Sequence, residues 1–496
     1  MSHDPTVADL EAAAELLESV IEDRGVLAVA DEDLRKRLLI AAGRVASPLG
    51  HERKLLAREL RRRRKRAMAV RDEERRRSTG IRQARSHPVF QTPKGGAPKE
   101  PLGEELLPGP ELERSKHCYV CKTQYTRLHH FYDQLCVPCG DFNFRKRTPA
   151  ADLAGRTALV TGARVKIGYQ AAIMLLRAGA HVIVLTRFPR DAAARYAREA
   201  DFEEWGGRLE IHGIDLRHTP SVEALCGELV RGHDRLDFLI NNACQTVRRP
   251  PGFYGHLLDG ETKSPKSLPA RERDLVAGDH GPRTRHVLPE SLDEDDARSA
   301  LLSQVALTDE DRNAGGDLFP TGRLDADLQQ VDLREVNSWR LMLDQVSAVE
   351  LLEVHLVNAV APFLLNGRLR GLMRQVPTKD KHIVNVSAME GQFYRALKTA
   401  RHPHTNMAKA SLNMMTRTAA ADYIDDGIHM NAVDTGWVTD EDPALHAARK
   451  VVEHAFSPPL DIVDGAARIV DPVFDGVATG DHQWGLFLKD YKPTPW

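Results

Sequence analysis

The chain has 496 residues, 42% of them hydrophobic and 28% charged, with a net charge of −2. That length implies more than one domain and ample core, and the balance reads as soluble and globular. No stretch approaches the roughly 18 consecutive apolar residues of a membrane span, and "MSHDPTVADLEAAAELL" lacks a basic region ahead of an apolar one. No membrane span or secretion signal is therefore expected, and six cysteines are too few for a disulfide scaffold, so the expectation is cytoplasmic.

Residues 1–86 show helical spacing of Ala, Leu, Glu and Arg, as in "LEAAAELLESVI" and "LRKRLLIAAGRV", and no strand signal. They include the basic run "RRRRKR" at 61–66. Between 51 and 86 there are 15 Lys/Arg against 5 Asp/Glu. Acids and Leu55, Leu56, Leu60, Met68 and Val70 interleave with these cations, which fits a solvated or acid-paired helix, so nucleic acid is not the expected partner. Residues 87–112 are rich in Pro and Gly and read as a linker.

A small unit over 113–150 carries "CYVC" and "CVPC". Cys118, Cys121, Cys136 and Cys139 form two C-x2-C pairs, each able to present two thiolates from a tight turn. Four soft ligands with no open position predict a structural zinc, which would fold a segment too short for its own core. His117, His129 and His130 lie near enough to replace one thiolate.

From 151 to the C-terminus, apolar strands alternate with helical patterns, predicting an α/β domain with a doubly wound parallel sheet. Its first unit, "TALVTGARVKIGYQAAIMLLRAGAHVIVLTR", reads strand, glycine turn, helix, strand. The turn runs from Thr161 and Gly162 through Arg164, Lys166 and Ile167 to Gly168, where free N–H groups and the helix dipole suit a pyrophosphate. Residues 245–335 interrupt the alternation with polar, Pro-, Gly- and Asp-rich sequence; 11 acids face 3 cations between 290 and 327. This insertion leaves the carboxyl end of the fourth strand, where it would roof a ligand site. Arg248 and Arg249 could then receive an anionic substrate and Tyr254 stack on it; a surface excursion packing on the zinc unit or a second subunit is the other reading.

Further blocks follow in order: "GIDLR", "LDFLINNAC", "LVNAVAPF", "HIVNVSAMEG" and "MNAVDTGWVTD". Together they resemble the short-chain dehydrogenase/reductase superfamily, with its Rossmann-type fold, over all of 151–496 except the insertion. Lys166 stands where the family's usual turn has a glycine, giving the TGxxxKxG form of the pteridine-reductase branch. That resemblance, with Arg187 after the second strand, implies NADP rather than NAD, since both cations suit a 2′-phosphate. It further implies that Asp215 and Leu216 meet the adenine, Asn242 and Ala243 the nicotinamide side, Thr435, Gly436 and Val438 the carboxamide, and Lys409 the ribose hydroxyls.

Enzymes of this family use Asn, Ser, Tyr and Lys, the tyrosine exchanging the proton while a hydride moves at the nicotinamide. Asn358 and Lys409 match. Ala388 occupies the serine place beside Ser387, and Thr405 the tyrosine place. "YRALK" puts Tyr394 and Lys398 in a formal YxxxK, but the long helix follows Lys409, so the register belongs to Lys409. The proton is then left to Tyr394, to His404, whose pKa is ordinarily near neutral, or to a held water. Two functions stay open: an NADP-dependent oxidoreductase acting on a small carbonyl- or imine-type substrate by an atypical proton path, or a catalytically inactive NADP-binding sensor. A homo-oligomer is expected.

Overall fold

The computed structural model describes residues 6–93, 109–264, 267–276, 298–313, 316–394, 398–439, 441–454 and 457–496. Most of the linker expected over 87–112, and part of the acidic stretch of the insertion, lie outside the described residues. The chain forms two compact units, Met1–Asp72 and Glu73–Trp496.

The first unit is helical, as its composition dictates. Helix Val7–Glu22 begins in a capping box between Thr6 and Asp9, and Asp31 caps Glu32–Ala46 by accepting the Leu34 N–H at 2.7 Å. The basic run lies in helix Gly50–Arg77, where Glu59 sits 3.7 Å from Arg62 one turn on. Such exposed pairs stabilise a helix by only a few tenths of a kcal/mol, in keeping with a solvated face.

The second unit opens with helix Gly80–Ser86 and the hairpin of β1 (Glu111–His117) and β2 (Gln124–Arg127), followed by helix Val137–Lys146. The main sheet comprises β3 (Thr157–Thr161), β4 (His181–Thr186), β5 (Leu209–Gly213), β6 (Phe238–Asn241), β7 (Lys381–Ser387), β8 (Ile428–Asp434), β9 (Phe487–Lys489) and β10 (Lys492–Thr494). Its order is β10-β9-β8-β7-β6-β3-β4-β5, parallel except for the β9–β10 pair. β3, β7 and β8 are buried at every residue, because helices cover both faces. Alternation divides them: Ala158 and Val160 pack towards helices Lys166–Arg177 and Ile462–Thr479, while Leu159 joins Leu225, Leu365 and Ala420 on the other side. The strand order reverses between β3 and β6, which opens a crevice at their carboxyl ends.

The four-cysteine unit shares its core with this domain. Tyr132, Leu135 and Cys136 lie in the same buried cluster as Leu460, Ala466 and Ile469. Arg147 grips Asp461 at 2.8 and 2.9 Å and Asp464 at 2.8 Å, and Arg85 donates to Ser457, Pro458 and Leu460. The insertion packs Phe253, Tyr254, Leu257, Ala300 and Phe319 into a small core around Phe188, which follows β4.

One helical stretch, Ala348–Arg374, is long and apolar enough to cross a membrane by length and composition, with a mean hydropathy of 1.6 over its best window. Here Leu365, Leu369 and Leu372 pack under the sheet, while Leu352, Val360 and Phe363 are exposed.

Candidate functional site

The four cysteines converge. The turn after β1 carries Cys118 and Cys121, with Lys122 in a left-handed conformation (φ 64°) and the Cys118 N–H donating to Thr123. Cys136 caps helix Val137–Lys146 and Cys139 lies in its first turn, where the helix dipole favours thiolates. All four Sγ atoms lie within 4.8 Å of one another, and Cys121 and Cys136 are 3.6 Å apart. Around a tetrahedral zinc with Zn–S near 2.3 Å, sulfurs stand about 3.8 Å apart, so this donor set fits the ion. His129 is committed elsewhere: its Nδ1 accepts the N–H groups of Phe131 and Tyr132.

At the carboxyl ends of β3–β6 lies a cleft of about 520 Å³, within the usual range for a small-molecule site. Its lining includes Gly162, Arg164, Lys166, Ile167, Gly168, Arg187, Asp215, Leu216, Asn242 and Ala243. Ten positions chosen from sequence thus meet in one place. Gly162 is left-handed (φ 65°), and a Cβ there would lie 2.8 Å from the Ala243 Cα; at Gly168 it would lie 2.3 Å from the Asn242 Nδ2. Asn242 holds that close approach by donating to the carbonyls of Thr161 and Gly162 at 3.0 and 3.2 Å. Thr161 itself is buried below, its Oγ1 accepting the Ala243 N–H at 2.9 Å. Lys166 has φ 57°, a conformation a side chain adopts at a cost of about 1–2 kcal/mol.

The cations of the cleft differ in what they touch. Arg164 is buried against Asp191 at 2.7 Å. The Arg187 Nη2 donates to the Tyr254 hydroxyl at 2.6 Å, a neutral partner. Asp215 is gripped by Arg217, whose Nε lies 3.0 Å from Oδ1 and Nη2 2.6 Å from Oδ2. Burial pushes that carboxyl up, but Arg217, with the charge of Arg187, brings it below the usual range. Sequence reading passed over Arg217, although it closes the quoted "GIDLR" block; Asp325, Gln329 and Glu441, which also line the cleft, carry no periodic or motif signal.

The insertion does roof this cleft, through Arg249, Phe253, Tyr254 and 329–332. Arg248, however, offers nothing to a substrate anion. It is buried, bidentate to Asp311 at 2.6 and 2.8 Å and 3.0 Å from Glu353. Burial raises the Asp311 carboxyl, yet Arg248 and the N–H groups of Leu307 and Thr308 bring it down to about 2. Arg249 is paired with Asp332, and Tyr254 is buried in the insertion's core beside Phe188. These residues organise the roof, for the general reason that buried guanidinium groups require carboxylate partners.

The positions expected from sequence to be catalytic, Asn358, Tyr394, His404, Thr405 and Lys409, are not among the residues that line the cleft. Lys409 is buried in helix Pro403–Tyr423, its Nζ donating to the Val386 carbonyl at 2.8 Å. Thr405, one turn earlier on the same face, is buried, and its Oγ1 has no hydrogen-bond partner among the described residues. His404 faces helix Ala348–His355, with Nε2 3.4 Å from Glu350. Ser387 donates to Asn413 at 2.5 Å. Tyr394 is 49% exposed. Asn358 sits in a π-helical turn, Leu356–Val360, a bulge that is frequent at functional sites. Its Oδ1 accepts the Gln245 N–H at 2.7 Å and its Nδ2 donates to the Gln245 carbonyl at 3.3 Å. The side chain thereby pins the first residue of the insertion, a structural task the sequence did not suggest. Asn241 donates to Asn366 and Asn385, each at 2.8 Å, which locks β6 and β7 to the helix behind them.

The loop expected to meet the carboxamide follows β8; Thr435, Gly436 and Val438 are not among the residues that line the cleft. Gly436 (φ 76°) donates to the Asp434 carboxylate at 3.2 Å, and the Trp437 N–H donates to the Tyr119 hydroxyl at 3.0 Å. Tyr119 stands between Cys118 and Cys121, so the four-cysteine unit directly buttresses the loop that carries Thr435, Gly436 and Val438.

Comparison with known proteins agrees with this geometry. Residues 156–253 match the short chain dehydrogenase family, and 340–456 match the Enoyl-(Acyl carrier protein) reductase family, two segments that flank the insertion. The chain is 30% identical over 375 residues to "Uncharacterized protein R665" of Acanthamoeba polyphaga mimivirus, covering 72% of this chain and 71% of that one. It is 34% identical over 98 residues to a fatty acyl-CoA reductase of Acinetobacter baylyi, 20% of this chain and 32% of the relative, so it spans about a third of that protein. A solved short-chain dehydrogenase/reductase from Burkholderia multivorans, described with bound NADP, has 17% identity and a TM-score of 0.40 over 69% of this chain and 99% of its own. The chain belongs to the short-chain dehydrogenase/reductase superfamily, in the same family as R665.

Proposed function

We propose that this chain is an NADP-dependent oxidoreductase that acts on a small carbonyl- or imine-type substrate without the usual tyrosine acid. One observation carries the reading: Thr405 and Lys409 share a buried helix face, and the Thr405 Oγ1 is left without a partner among the described residues. A buried hydroxyl costs about 1–3 kcal/mol when unpaired, so a ligand oxygen or water at that place is the natural complement. The Gly162–Gly168 turn, open to the cleft, and Arg187, whose side-chain partner is a neutral phenol, support binding of the phosphorylated dinucleotide.

When bound, the nicotinamide would supply or accept the hydride. Lys409, held on the Val386 carbonyl, would orient ribose hydroxyls, and Thr405 would hold the substrate oxygen. His404, buried beside Glu350, would then be the proton source in preference to Tyr394, which is half exposed. Apolar side chains left exposed on neighbouring helices, Val360, Phe363, Met407 and Met414, support association of two copies, which light scattering would report.

The second reading, a sensor that binds NADP without turnover, is favoured by the commitment of Asn358 to Gln245 and by Ala388 at the serine place. Calorimetry with NADPH and NADH, then single-turnover NADPH oxidation against carbonyl, imine and pterin-like compounds, separates the two. Tight NADPH binding with oxidation of any compound supports the enzyme; tight binding with none supports the sensor.

A further inference from the structure

At the end of the sheet opposite the cofactor cleft, four chemistry-bearing side chains meet that the reading above does not use. His181 begins β4, Glu210 and His212 lie on one face of the edge strand β5, and His233 follows helix Thr219–Gly232. The parallel register pairs Ile183 with Glu210, which puts His181 and Glu210 on the same face of neighbouring strands. The Nε2 atoms of His181 and His233 both face the same carboxylate oxygen, Glu210 Oε2, at 3.4 and 3.6 Å. The three donor atoms lie within 4.8 Å of one another, and the site is partly open to solvent.

These separations are long for hydrogen bonds, which run about 2.7–3.2 Å between nitrogen and oxygen. They lie closer to the edge of a tetrahedron about an ion: with metal–nitrogen and metal–oxygen bonds of about 2.0–2.1 Å, adjacent ligand atoms stand about 3.3–3.4 Å apart, which His181 meets and from which His233, at 3.6 Å, is a small side-chain shift away. The carboxylate's other oxygen, Oε1, is held by the His212 Nε2 at 2.5 Å, the kind of supporting contact that fixes a ligating carboxylate. The carbonyl end of helix Thr219–Gly232 adds a negative potential beside His233.

We infer that His181, Glu210 and His233 bind a divalent transition metal of the zinc class, with His212 positioning the carboxylate and water filling the fourth place. Two imidazoles and one carboxylate select such a metal over calcium or magnesium, which prefer all-oxygen sites. Bound there, the ion ties the edge strand to the helix that follows it, independently of the thiolate site.

The test is zinc stoichiometry in the full-length protein. Chelator-stripped wild type and a His181→Ala/His233→Ala variant are each loaded with zinc sulfate, desalted and counted by mass spectrometry. One equivalent fewer in the variant is expected, whether or not the thiolate site is filled; equal counts overturn the inference. Circular dichroism checks that the variant folds. Glu210→Gln keeps the shape and removes the charge, and should weaken zinc at least ten-fold in competition with a chromophoric chelator; unchanged affinity also overturns it. His212→Ala should weaken binding about 10–100-fold without abolishing it, whereas a merely structural histidine would leave the affinity unmoved.

Discussion

Thr405 stands where this superfamily carries its acid, and an aliphatic hydroxyl is far too weakly acidic for Lys409 to bring it near neutrality. It can hold an oxygen and cannot give up a proton. A general acid is worth typically 10²–10⁴-fold, so His404→Ala should lower single-turnover NADPH oxidation by that factor while calorimetric NADPH affinity stays unchanged, and Tyr394→Phe should be nearly silent. The reverse pattern would assign the proton to Tyr394. Arg187 invites a separate test. A charge-assisted contact to a 2′-phosphate contributes roughly 1.5–3 kcal/mol, so Arg187→Ala should reduce the preference for NADPH over NADH at least ten-fold. An unchanged ratio would remove Arg187 from phosphate recognition.

Among elements, the loop after β8 and the CxxC turn meet directly. Tyr119 accepts the Trp437 N–H, and a neutral hydrogen bond of this kind is worth about 1 kcal/mol. Tyr119→Phe should therefore weaken NADPH binding by up to about five-fold. Cys136→Ser, by releasing the metal, should do so more strongly and lower the melting temperature; affinity unchanged by either substitution would uncouple the two elements. The insertion has its own anchor in Arg248. Its replacement by Ala leaves Asp311 buried without its cation, while Glu353 keeps Arg217 at 2.9 Å; the loss costs about 3–5 kcal/mol and should appear as early proteolytic nicking within 298–338. Because the Asp311 carboxyl is depressed to about 2, its contribution is complete above its ordinary value of about 3.9 and is lost as pH falls towards about 2. Near-ultraviolet dichroism should follow that loss between about pH 4 and pH 2.

At the scale of the whole molecule, the four-cysteine unit and the α/β domain belong to one compact unit, joined by Arg85, Tyr132 and Arg147 to the segment 457–468. The helices up to Asp72 form the other. A chain starting at Glu73 should thus keep its metal and its NADPH affinity by calorimetry; loss of either would make the N-terminal helices part of the site.

The parallel sheet, the glycine turn, the thiolate set and the place of Lys409 were all legible in the chain, because each is written in residues close together or in periods that buried strands and helices impose. Lys166 and Arg187 could be placed beside the cleft by position alone, since one lies in the glycine turn and the other directly follows β4. What the sequence could not decide was the partner of each charge. Arg248, in the segment that follows β6, is consumed by Asp311, 63 residues away; Asn358 is occupied by Gln245 across 113 residues; and His181, Glu210 and His233, which share no motif, are assembled by the register of two strands and the end of a helix. Such pairings follow from how the sheet twists and where the insertion folds back, and that is set by the packing of the whole second unit rather than by any window of its sequence.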